Sequence, residues 1–187
     1  MAEPITVAEF AEHLRIDAET QTAEAATLAI YLAAARRKVE EYTGAYVEQR
    51  QAEFVSNCTP RGSELSLPLA PRGENGQRVA VSNVTVTYED SAEAAQTFAA
   101  ENFAVRSNRL ALNSGRQWPT ISGRPDSFKV AYTTGFADGE VPENLRSAIL
   151  LEATALYEQR SAQTNAMQFV NPAVQALAQP HRVDLGI

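Results

Sequence analysis

Cysteine and histidine are scarce in this chain of 187 residues: one cysteine, Cys58, and two histidines, His13 and His181. A single cysteine excludes an internal disulfide and suits a reducing cytoplasm. With so few soft ligands, so widely spaced, no local zinc motif can be assembled. Long hydrophobic runs are missing too, and nothing approaches the roughly 18 consecutive apolar residues of a membrane span. The opening Met1-Ala2-Glu3-Pro4 lacks the basic and apolar regions of a signal peptide, so none is expected. Without an export signal, the sequons Asn57-Cys58-Thr59 and Asn83-Val84-Thr85 read as chance. Positive charge is also short: 16 Lys and Arg against 23 Asp and Glu leave a formal net charge of −7. A protein that grips nucleic acid by its phosphates needs a basic surface, so that class is disfavoured, although DNA passing nearby is not.

Catalytic signatures are absent as well. The sequence contains no phosphate-binding glycine loop, no G-x-S-x-G elbow and no EF-hand loop. His13 and His181 read as surface or capping residues. Cys58 precedes Thr59-Pro60 with no base proposed beside it, and a nucleophile needs one. No two carboxylates share an apolar setting of the kind that separates an acid from a base. No catalytic residue, cofactor or metal is therefore expected.

What is present is an ordinary globular composition, 44% apolar and 21% charged, with enough length for a real core. Thr6-Val7-Ala8-Glu9 is a capping box opening a short helix over Val7 to Leu14. Asp17 to Thr22 reads as a polar connection. A second helix is predicted from Ala23 to Tyr42, stopping at Gly44, with Leu28, Leu32, Ala35, Val39 and Tyr42 as its packing stripe. On it, Arg36–Glu40 and Arg37–Glu41 are i,i+4 pairs. They read either as a solvated face with local salt bridges or as a charged subunit interface.

From Val47 to Thr134 helical spacing gives way to short alternating runs between Gly, Pro, Asn and Ser. Strands are predicted at Glu48 to Val55, Glu64 to Leu67, Val79 to Tyr88, Asn102 to Val105, Leu110 to Leu112 and Ser127 to Thr133. The apolar phase slips at Ser82-Asn83, which calls for a bulge or turn. Pro68 to Gly76 and Gly115 to Pro125 read as loops. Trp118 suits either pinning its loop to the sheet or stacking on a partner. Next, Gly135 and Asp138-Gly139 break the chain, and Pro142 is expected in the first turn of a long central helix reaching Tyr157. Asn171-Pro172 caps a final short helix to Ala178, ended by Pro180. Phe169 suits a partner pocket or simple internal packing.

The fold class expected is α+β: a helical core of two long helices plus short N- and C-terminal helices, with an inserted antiparallel β subdomain. The parts are residues 1–46, the β insertion 47–134, the central helix 135–168, and the C-terminal helix and tail 169–187.

Several segments carry a family resemblance. They are Ile5 to Phe10, the Ala33 to Arg37 stretch running to Glu41-Tyr42-Thr43-Gly44, Tyr132-Thr133-Thr134-Gly135, Val141-Pro142, Tyr157-Glu158-Gln159-Arg160, and the closing Leu177, Pro180 and Arg182. In this order they resemble the head–tail connector (adaptor) proteins of tailed bacteriophages across nearly the full chain. The resemblance implies a non-enzymatic protein, made in the host cytoplasm and located in the virion neck. It would form a ring, commonly a dodecamer, beneath the portal protein. There it would dock a stopper or tail-completion protein and leave a channel through which DNA passes without sequence-specific binding. It also implies a portal-binding C-terminal segment, with Phe169, Val170, Leu177, Pro180, His181, Arg182, Val183 and Leu185 as candidates. Arg36, Arg37, Glu40 and Glu41 are the subunit-interface candidates. The alternatives are a stopper or tail-completion protein of the same neck, and a small cytoplasmic enzyme of unrecognised type, which a buried pocket joining His13 or Cys58 to a carboxylate would favour.

Overall fold

The computed structural model describes residues 3–159 and 171–183. Its helices are α1 (Val7–Leu14), α2 (Ala18–Thr43), α3 (Glu143–Glu158) and α4 (Pro172–Ala178). Seven strands lie between α2 and α3: β1 (Arg50–Ser56), β2 (Glu64–Ser66), β3 (Ser82–Glu89), β4 (Ala95–Phe98), β5 (Phe103–Arg106), β6 (Arg109–Leu112) and β7 (Phe128–Thr134). The fold is α+β, with the sheets inserted between helices, as the sequence predicts.

Local chemistry explains most element boundaries. The Thr6 hydroxyl accepts from the Glu9 amide at 3.2 Å while Glu9 Oε2 accepts from the Thr6 amide at 2.7 Å, completing the capping box of α1. Helix α2 starts at Ala18 rather than Ala23. Asp17, which reads as part of a polar connection, is its N-cap and accepts from the Thr20 amide at 2.8 Å. The polar residues that hide this start from a periodicity argument form the exposed first turn. Gly44 ends α2 in the left-handed conformation at φ 68°. Pro142 sits at the N-cap of α3, with extended φ −53° and ψ 140°, not inside the first turn. Asn171 and Pro172 cap α4 as expected, and the chain leaves it at Ala178 through a 3₁₀ turn, Gln179–His181.

All strand pairings are antiparallel. One sheet has the order β1-β7-β3-β4 and the other β2-β6-β5. The phase slip at Ser82-Asn83 is real: the β3–β7 register shifts between Ser82 and Thr85, and Asn83 takes φ 50°. Strand β4 has no counterpart in the sequence reading. Ala95, Gln96 and Thr97 are exposed on an edge strand, so no apolar alternation marks it.

Two apolar clusters form. Phe10, Leu28, Leu32, Val39, Leu145, Ile149, Val174 and Ala178 belong to the cluster among the helices. Leu67, Val86, Phe103, Leu110, Phe128, Val130 and Tyr132 belong to the cluster among the strands. Trp118 pins its loop onto the strand cluster: its indole N–H donates to the Gly62 carbonyl at 2.7 Å, and its ring meets Phe128 edge-on at 5.9 Å.

The chain leaves and re-enters the helical layer at one point. There the Phe136 amide donates to the Val47 carbonyl at 3.0 Å. Gly135 makes this approach possible. It has φ 111°, and a Cβ there would fall on the Glu48 carbonyl and 2.7 Å from Gln49 Cα.

Candidate functional site

The charged residues predicted for an interface separate into two sets around α2. Arg36 and Glu40 face inward and are buried. Arg36 donates to both oxygens of Glu3, at 2.8 and 3.0 Å, and to Glu40 at 3.1 Å, and it lies 3.5 Å from Glu48. The hydrogen bond to Glu3, with the charges of Glu40, Glu3 and Glu48, raises the guanidinium pKa against the opposing effect of burial. Glu40 is shared further. Its Oε1 accepts from the Val47 amide at 2.9 Å, and its Oε2 accepts from Arg50, whose guanidinium stacks 3.6 Å from the Tyr46 ring centroid. Lys38 turns the other way and meets buried Glu152 of α3 at 2.5 Å. Arg36 and Glu40 are therefore internal structure: they fasten the N-terminal strand of chain, α2 and the start of the β insertion to one another.

Arg37 and Glu41 point outward, exposed, and no ion pair joins them. With Glu40 they border an open cavity of about 450 Å³ at the C-terminal end of α2, lined also by Gly44, Ala45, Tyr46, Arg50 and Leu69. A wider groove of about 590 Å³ lies between Gly73–Val79 and Gly139–Glu143.

The C-terminal candidates also divide. His181 is buried: its Nδ1 lies 2.7 Å from the Arg72 carbonyl, and its Nε2 has no partner. This corrects the surface-or-capping reading. The 3₁₀ turn after α4 swings the ring under the loop that carries Arg72, which nothing local in the sequence announces. Val183 is buried and its amide donates to the Thr43 carbonyl at 2.7 Å. Tyr42 donates to Gln179 at 2.5 Å, and the Arg182 guanidinium stands 5.7 Å from the Tyr42 ring centroid. The segment 171–183 is thus docked onto the end of α2 of its own protomer. Leu177 is half-buried, while Pro180 and Arg182 are exposed. Phe169, Val170 and Leu185 lie outside the described residues.

Among the described residues, no three His, Cys, Asp or Glu side chains come together as a metal would require. No described helix is long and apolar enough to cross a membrane. Cys58 is exposed, with only Ser56 Oγ beside its sulfur at 3.5 Å, and His13 is exposed in the last turn of α1.

Comparison with solved structures adds what side-chain geometry does not. At 28% identity and TM-score 0.71, the chain matches one in a structure described as the neck of an empty gene transfer agent (GTA) particle computed with C6 symmetry. That match covers 99% of this chain and 94% of the other. The chain is similar to a neck component. A second match, at 26% identity and TM-score 0.74 over 98% and 92% of the two chains, is in the virion of a native GTA particle. A third, at 26% identity and TM-score 0.69 over 99% and 94%, is in the neck of a native GTA particle computed with C12 symmetry. No family model and no curated protein matches the sequence.

Proposed function

We propose that this chain is a structural head–tail connector of a phage-like particle. It assembles as a ring, a dodecamer, beneath the portal and presents a platform to the stopper or tail. The observation that carries this reading is the end-to-end similarity to chains in GTA necks computed with sixfold and twelvefold symmetry, each covering 99% of this chain. Side chains support it by what they are used for. The charges brought together on α2 hold the protomer in shape, as an assembly part requires, and no described cluster offers a nucleophile with its base. The net charge of −7 is consistent with a channel wall that repels phosphate and lets DNA slide.

In this reading the segment 169–187 meets the portal. His181 and Val183 anchor it to the protomer, and Leu177, Pro180 and Arg182 are the described positions left to make contact. A stopper or tail-completion role at the same neck is the second reading, differing in position relative to the portal.

The test is to mix the protein with its purified portal ring and image the mixture by cryo-electron microscopy. Deleting everything from Phe169 would be a poor control, because Val174 and Ala178 belong to the helical core. Arg182→Glu and a chain ending after Val183 are better comparisons. A ring of this chain capping the portal, weakened by those changes, supports the connector reading. Absence of binding by the intact chain moves it to a later neck component.

A further inference from the structure

One Asn-Gly pair occurs in the chain, Asn75-Gly76, and it stands on the rim of the 590 Å³ groove. Arg72 and Arg78 pair as an antiparallel bridge, and the Gly73 amide donates to the Gln77 carbonyl at 2.9 Å, closing a tight turn between them. Residues 74–77 of that turn are all exposed. Within it the Gln77 amide donates to Asn75 Oδ1 at 3.0 Å. A bond to the amide two residues on folds the carboxamide back over the Asn75–Gly76 peptide, and it draws electrons from the carboxamide carbon. Gly76 has φ 73°, and nothing lies within 4 Å of the place where a Cβ would stand. Neither a side chain nor a neighbour therefore obstructs the Gly76 nitrogen there. Other asparagines are placed differently. Asn83, Asn108 and Asn113 each precede a residue with a side chain, and their carboxamide nitrogens donate to Thr133, Leu67 and Glu101.

We propose that Asn75 is a self-modification site, which the folded chain converts to aspartate and isoaspartate without an enzyme. The Gly76 amide gives up its proton to solvent hydroxide, releasing its 3.0 Å hydrogen bond to the Gly73 carbonyl. Its nitrogen then attacks Asn75 Cγ. The new N–Cγ bond forms, the Cγ–Nδ2 bond breaks, and the leaving nitrogen takes a proton from water and departs as ammonia. A five-membered succinimide remains. Water opens that ring at either carbonyl, so the side-chain or the main-chain carboxylate is set free. Ammonia has been exchanged for water, and no oxidant, metal or other co-reactant is needed. Each conversion adds one negative charge to a groove that Glu74, Glu140 and Glu143 already line. The isoaspartate product also inserts a methylene into the main chain, which shifts the register that joins Gly73 to Gln77. The inference stands apart from the connector reading, because it concerns one loop of one chain.

The test incubates the full folded chain at neutral and mildly alkaline pH and follows the tryptic peptide 73–78 by mass spectrometry. The mass gain of an amide-to-acid exchange reports conversion, and labelling by an isoaspartyl methyltransferase reports the isoaspartate share. Conversion at Asn75 should run ahead of every other asparagine, speed up as pH rises, and proceed in the folded chain as readily as in urea. Gly76→Ala should slow it at least about tenfold, since a side chain crowds the attacking nitrogen. Asn75→Gln keeps an amide but cannot close the five-membered ring, so its peptide should stay unconverted. An Asn75 that stays intact in the folded chain while the urea-unfolded chain converts overturns the proposal. So does faster conversion at another asparagine, or a Gly76→Ala chain that converts as fast as the parent.

Discussion

Glu40 reaches past the end of its own helix to accept the amide hydrogen of Val47 at 2.9 Å, while the same carboxylate binds Arg36 and Arg50. One buried side chain thus fixes the direction in which the chain departs α2 for the sheets. Removing its charge leaves Arg36 under-compensated where it is buried and Arg50 where it is partly exposed, and breaking a buried pair from one side costs about 3–5 kcal/mol. Arg36 keeps Glu3 and Glu48, so Glu40→Gln should lose about 3 kcal/mol. The adjacent Glu41→Gln, exposed and unpaired, should stay within about 0.5 kcal/mol of the parent. Urea unfolding of the two variants side by side checks the contrast; equal losses would contradict the assignment of Glu40 to the interior.

Gly135 and Gly139 both have positive φ, 111° and 77°, but only the first is crowded. A methyl at Gly135 meets the backbone of Glu48 and Gln49, which cannot yield without opening the β1–β7 junction, whereas nothing lies within 4 Å of a methyl at Gly139. The backbone strain alone is worth about 1–2 kcal/mol. Gly139→Ala should lose about that much and Gly135→Ala at least about twice as much. Thermal unfolding measures both, and similar losses would mean that the junction is soft.

The same junction shows what was legible in the sequence. Gly135 stands out because a strand ending in Tyr-Thr-Thr-Gly needs a residue free to take unusual φ. The capping residues Thr6, Glu9, Gly44 and Asn171 were legible for a similar reason: each satisfies backbone groups within a few residues of itself. Strand β4 was not, because an exposed edge strand needs no apolar alternation. Nor was the fate of Arg36 and Arg37, adjacent in sequence and alike in chemistry. Only the positions of Glu3 and Glu48 around the helix decide that one is paired in the interior and the other free. His181 illustrates the same limit, since its partner, the Arg72 carbonyl, lies more than a hundred residues away.

Acid should loosen the cap of the N-terminal helix. The backbone and side-chain hydrogen bonds from Thr6, with smaller help from Arg146, hold the Glu9 carboxyl below its ordinary pKa of 4.5. A group whose pKa is depressed on folding contributes stability above its unfolded pKa and loses it as pH falls through the folded value. The contribution is therefore complete above about pH 5 and vanishes below the ordinary Glu range. Glu9→Gln should be less stable than the parent at pH 7, and the gap should close as pH falls below 4.5. A gap that is constant from pH 7 to 3 would show that the capping carboxylate is not the group titrating.

Tyr132 sets the opposite limit. Burial, with a smaller effect from Tyr46, pushes its phenol from 10.0 up to about 12, and its hydroxyl donates to the Pro68 carbonyl at 2.8 Å. The neutral form is the one the fold accepts. Its contribution is fully present below pH 10 and is lost as pH rises from 10 to about 12. Tyr132→Phe removes that alkaline dependence while leaving the Pro68 carbonyl without its donor, a loss of about 1 kcal/mol at neutral pH. Unfolding monitored at pH 7, 10 and 11 should show parent and variant converging as the phenol ionises. Ultraviolet titration should also show one fewer late-titrating tyrosine in the variant. A parent whose tyrosines all titrate near 10 would place Tyr132 in contact with water and undo its position at the centre of the strand cluster.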